Sequence, residues 1–131
     1  MLQPTPQAGA ILNYTTLAEL EAIGRDSRFV DELISGFVED TGTLMQRCEL
    51  ALLARHHDEF KDLLHALKGS AMSIGATGLR ATCERLEQLP AAGLDRDPAA
   101  TGAALQVAFA EICDALEDYR RRRAEAALQQ S

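Results

Sequence analysis

Apolar residues recur along most of this chain at the three- and four-residue spacing of helices that bury one face. A short helix from Leu17 to Ile23 is predicted first, with Thr15 or Thr16 as its N-cap and Gly24 as its stop. Asp26 or Ser27 then opens a long helix whose stripe is Val30, Leu33, Ile34, Phe37, Thr41, Leu44, Cys48, Ala51 and Leu52. It should end near Arg55 to His57. Asp58 is the expected cap of a third helix, with Phe60, Leu63, Leu64, Leu67, Ala71 and Ile74 inward and Gly75 at its end. A fourth helix turns Leu79, Thr82, Cys83 and Leu86 inward and closes before Pro90. Residues 91–98 read as a loop. Pro98 suits the first turn of a last helix capped by Asp97, with a stripe of Leu105, Ala108, Phe109, Ile112, Leu116 and Tyr119.

Four long amphipathic helices with short connections predict an all-α fold, an up-down-up-down four-helix bundle with a short extra helix in front. No strand pattern, repeat or low-complexity tract competes with it. Residues 1–14, with Pro4, Pro6 and Gly9, are expected to form a flexible lead or linker, and residues 15–131 the bundle.

The third helix carries the chemistry. On a wheel of about 100° per residue, His65 lies nearly opposite the apolar stripe. Lys61, Lys68, Gly69 and Met72 lie within about 60° of it. A mid-helix glycine costs about 1 kcal/mol against alanine. Here it sits on the histidine's own face, where a missing side chain clears space beside the imidazole. A locally unfavourable residue beside a nucleophile points to a working site.

Composition narrows the partners. The 131 residues suit one domain, and 47% hydrophobic with 25% charged residues is an ordinary globular balance. A formal net charge of −7 argues against nucleic acid, whose affinity comes mainly from cationic contacts to phosphate. Arg120 to Arg123 is basic, but Glu117, Asp118 and Glu125 flank it. Cys48, Cys83 and Cys113 are far apart without a CxxC, and each lies on an apolar stripe, so buried free thiols are expected. His56 and His57 are adjacent and share no helix face, and no ExxH occurs, so no metal site is expected. No continuous apolar run approaches the ~20 residues of a membrane span, and Met1-Leu2-Gln3-Pro4 does not open a signal peptide.

The run His65-Ala66-Leu67-Lys68-Gly69-Ser70-Ala71, followed by Gly75, resembles the phosphorylation motif of histidine phosphotransfer (HPt) domains. Leu79, Cys83 and Leu86-Glu87 fit that family's pattern as well. The resemblance implies a four-helix bundle with the histidine on a solvent face. It implies that His65 accepts a phosphoryl group from a receiver-domain aspartate and passes it to another receiver in a two-component phosphorelay. Lys68 would stabilise the phosphoryl oxygens, Gly69 would leave the gap for approach, and Lys61, Met72 and Ser73 would belong to the partner-binding face. No cofactor is expected in this chain, since Mg²⁺ would sit in the receiver's acidic pocket. Histidine kinases usually place an acidic residue just after the histidine and a proline five on. Here those positions are Ala66 and Ser70, so autonomous kinase activity is not expected.

The proline-bearing lead suggests a module from the C-terminus of a hybrid sensor histidine kinase. The expected setting is then the cytoplasm, even where the whole kinase is membrane-bound. A monomer without membrane or nucleic-acid contact is expected, with room for a further non-receiver partner. The alternative is a helical-bundle adaptor that binds a signalling partner without phosphoryl transfer.

Overall fold

The computed structural model describes residues 11–24 and 26–130. Six helices order them: α1 (Tyr14–Ile23), α2 (Ser27–Leu53), α3 (His57–Ile74), α4 (Thr77–Glu87), α5 (Ala91–Arg96) and α6 (Pro98–Gln130). The four longest close a ring in which α3 packs on α2 and α4, and α6 packs on the same two. This is the expected bundle.

Its core is continuous because each stripe meets its neighbours' stripes. Val30, Ile34 and Cys48 from α2, Phe60, Leu64 and Leu67 from α3, Leu79 and Cys83 from α4, and Ile112 and Leu116 from α6 are all buried. Periodicity located this face well, with differences at its edges. Leu33 is exposed rather than inward, and Met45, absent from the expected stripe, is buried. By length and composition alone α6 could cross a bilayer. Its buried residues nevertheless belong to the common core, and it forms the fourth wall of the bundle.

The helix ends show where local chemistry departs from expectation. Asn13, not a threonine, caps α1, its side-chain oxygen accepting from the Thr15 amide at 3.0 Å. Asp26 caps α2 through the Arg28 amide. α3 begins at His57 without a side-chain cap, so Asp58 and Glu59 lie in its first turn, where carboxylates complement the dipole. Asp97 caps α6 as expected, accepting from the Ala100 amide at 3.0 Å. The expected loop at 91–98 holds α5 instead. Pro90 precedes its first residue, and buried Leu94 anchors it to the core.

The stretch assigned to a flexible lead divides. Residues 1–10 lie outside the described residues. Residues 11–14 belong to the packed body: Leu12 is buried, and the Asn13 amide donates to the Gly75 carbonyl at 2.7 Å. Gly75 itself adopts φ +82°, the left-handed conformation that ends a helix and that glycine adopts without strain. The turn from α3 to α4 is therefore also the seat of the chain just before α1.

Candidate functional site

His65 stands near the middle of α3. Its neighbours Leu64 and Leu67 are fully buried, which locks the helix against rotation, while the imidazole itself is exposed. It makes no hydrogen bond or ion pair with another described residue. The imidazole is thus held by its backbone and free at its ring. Both are needed by a group that must be reached by a large partner.

One turn on, Gly69 is exposed, and a Cβ built there would meet nothing within 4 Å. Close helix crossing therefore does not explain this glycine. The space beside the imidazole is open to solvent. Ala66 and Ser73 are exposed on the same side, and Met72 is 51% exposed. The Ser73 hydroxyl donates to the Ser70 carbonyl at 2.7 Å, so its polarity is satisfied inside its own helix. Together these residues form a shallow surface of small side chains with one thioether, the kind of face that excludes water without blocking approach.

The two lysines have separate roles. The Lys61 ammonium donates to the backbone carbonyls of Glu87, at 2.6 Å, and Leu89. The Glu87 carbonyl lies in the last turn of α4, which has no intrahelical donors, and the Leu89 carbonyl just beyond it. Lys61 was expected on the partner-binding face; its ammonium is instead turned to the end of α4. The Lys68 ammonium pairs with Glu87 Oε2 at 3.1 Å, and both side chains are about four-fifths buried (22% and 21% exposed). The other carboxylate oxygen, Glu87 Oε1, is buried without a hydrogen-bond partner among the described residues. An unpaired buried acceptor costs about 1–3 kcal/mol, which marks this side chain as more than a surface charge.

Cys83 lies close enough to this pair to feel it. Burial above all, with the nearby Cys48 and Glu87 adding to it and Lys68 partly offsetting them, raises its thiol to about 12. Burial likewise takes Cys48 to about 11. Both thiols are buried and free; Cys113 is only half-buried. They are core residues and weak nucleophiles.

The remaining histidines have local partners. His57 Nε2 meets Asp95 Oδ1 at 2.8 Å, joining α5 to the start of α3, and His56 Nδ1 lies 3.5 Å from Glu59. Among the described residues no group of three or more His, Cys, Asp or Glu is arranged to hold a metal ion.

Sequence reasoning missed two residues. Glu87 was read only as an outward-facing member of a motif, because nothing in the spacing shows that α4 brings it to Lys68. Asp62 was legible: it lies about 60° from His65 on the wheel, one turn before it. It is exposed and makes no ion pair with another described residue.

Comparison with known proteins agrees with this architecture. Residues 32–131 match the family model described as Hpt domain. The structure is similar to the crystal structure of histidine-containing phosphotransfer protein B (HptB) from Pseudomonas aeruginosa PAO1. The two share 24% sequence identity over 91% of this chain and 98% of that one, with a TM-score of 0.75. At that identity the likeness is one of fold. No curated protein matches the sequence.

Proposed function

The chain belongs to the Hpt domain family, whose members carry phosphoryl groups on histidine in phosphorelays, and from that premise we propose that His65 is the residue that carries it here. The observation behind this assignment is the pairing of an exposed, unbonded imidazole with an open position at Gly69 on a helix fixed by its core face. His56 and His57 each have a carboxylate partner instead.

The reaction follows from the ring's chemistry. The lone pair of one ring nitrogen attacks the phosphorus of a receiver's aspartyl phosphate. The P–O bond breaks, and its electron pair returns to the aspartate as carboxylate. The other ring nitrogen keeps its proton, so the phosphorylated ring is an imidazolium until that proton is lost. Passing the group on reverses these steps with a second receiver. Such transfers depend on positioning and on charge around the phosphoryl oxygens, so a sparse site suffices. Lys68 is the cation within reach of those oxygens. Ala66, Gly69, Met72 and Ser73 form the face that a receiver covers. Mg²⁺, in this reading, is held by the receiver, and the chain acts as a monomer in the cytoplasm.

The test is label transfer from a phosphorylated receiver domain to wild type and to His65→Gln. Acid-labile, alkali-stable label on wild type, and none on a mutant with unchanged helical circular dichroism, is the expected result. Label persisting on the mutant would move the assignment to His56 or His57. A wild type that takes no label from several receivers would favour an adaptor that docks without chemistry.

A further inference from the structure

Three charged side chains around His65 are arranged in a way that phosphoryl stabilisation alone would not require. The Lys68 ammonium is paired with Glu87 at 3.1 Å in a largely buried contact. The Lys61 ammonium is bound to carbonyls at the end of α4. Asp62, one turn before His65, is an exposed carboxylate without a described cationic partner. The sequence therefore places two cations near the histidine, but the fold compensates both and leaves an anion uncompensated.

From this we infer that Glu87 and Asp62 set the transfer potential of the phosphohistidine, keeping it weakly stabilised so that the group moves on. This rests on the proposed role of His65. A phosphoryl group brings about 1.5 to 2 negative charges to the imidazole. Lys68 could neutralise part of that only by leaving Glu87. Glu87 Oε1 is already buried without a partner, so that departure would strand both carboxylate oxygens. The orphaned oxygen thus strengthens the hold on Lys68. Glu87 acts through the lysine as a positioning residue and does not touch the phosphoryl group. Asp62 acts directly, by like-charge repulsion across one helical turn.

The transfer itself conserves atoms and electrons: the phosphoryl group leaves a carboxylate oxygen for a ring nitrogen, and the reverse step restores both. Its equilibrium constant therefore reports how well this chain stabilises the phosphorylated ring relative to the free one. An exposed pair of charges changes such a balance by about two- to fivefold.

The experiment measures the equilibrium ratio of labelled chain to labelled receiver. It uses wild type, Glu87→Gln, Lys68→Ala, the double variant and Asp62→Asn, with thermal melting to confirm folding. Glu87→Gln is expected to raise the phosphohistidine fraction by about two- to fivefold. Most of that gain should vanish when Lys68 is also alanine. A side chain that merely supported the fold would lower transfer and would show no such dependence on Lys68. Asp62→Asn, which disturbs no packing, should raise the fraction on its own, with or without Lys68. The inference is overturned if neither variant raises the ratio, or if more than half of the Glu87→Gln gain persists without Lys68. If wild type takes no label at all, the role of His65 falls first and this inference with it.

Discussion

At Gly69 the proposed function has a single residue trade stability for access. A Cβ at this position would meet nothing within 4 Å, and the backbone is ordinary helix. Gly69→Ala should therefore stabilise the fold by about 0.5–1 kcal/mol, because alanine loses less backbone freedom on folding. The same methyl group narrows the approach to His65. The expected outcome is a higher melting temperature with slower phosphoryl transfer, and Gly69→Arg should abolish transfer while keeping the helix. Equal transfer rates in wild type and the alanine variant would show that the gap is not used. The thiols allow a second check at this scale. Cys48 and Cys83 are buried with raised pKa, whereas Cys113 is half-buried. A thiol reagent added to the native protein should modify Cys113 first and reach the other two only as the chain unfolds. Spacing alone exposed His65 and Gly69, because on a helix the side opposite the apolar stripe is the solvent side. It could not show that Lys61 and Lys68 are both engaged, because their partners come from α4 and the segment just after it.

At the scale of elements, the hairpin of α3 and α4 positions the site. Its turn depends on Gly75, whose φ of +82° disfavours any residue with a side chain. A Cβ there would also stand 2.8 Å from Thr16 Cβ and 2.9 Å from the Asn13 carbonyl. Gly75→Ala should thus strain the turn and push away the segment that enters α1. A loss of about 1–3 kcal/mol in denaturant unfolding is expected, with amide exchange in α1 accelerating more than in α2 or α6. Uniform acceleration would mean that α1 is not seated on this turn. Helix identities were legible because each long stripe runs over several turns. The start of α1 was misplaced because several side chains compete to cap it and Asn13 wins, and that of α3 because its helix begins at His57 with no side-chain cap to mark it. α5 was overlooked because six residues hold too few periods to register, and buried Leu94 supplies the stability that its sequence lacks.

For the molecule as a whole, the buried acids of the core and its rim make alkaline pH the weak side. Burial raises Cys48 and Cys83 well above their ordinary value of 9.0, to about 11 and about 12, and raises Cys113 as well. Tyr119 is pushed up by burial and by its hydrogen bond to Glu21. In each case the unfolded chain gives up its proton first. Their contribution is therefore intact below about pH 9 and is lost as pH climbs toward the folded values, with a slope of up to about 1.4 kcal/mol per unit for Cys48 and for Cys83. Urea unfolding at pH 8 and pH 10.5 should show the decline, and replacing Cys48 and Cys83 by alanine should flatten it. An unchanged slope would place the loss elsewhere. The network containing Tyr119 spans the molecule: Arg123 on α6 reaches Asp31 on α2 at 3.0 Å and Glu21 on α1. The basic run Arg120 to Arg123 thus includes one arginine that fastens α1 to the bundle.

The sequence by itself determined the helices, their buried faces, the bundle class and the histidine that lies opposite the apolar stripe of α3. These follow from period and composition, which act within a few turns of one chain segment. The tertiary structure decided which charges remain available beside that histidine. Lys61, Lys68 and Glu87 meet only because α4 folds back along α3, a contact between residues 19 to 26 positions apart. Electrostatic compensation depends on distances of a few ångströms in space, and no local pattern in the chain encodes them.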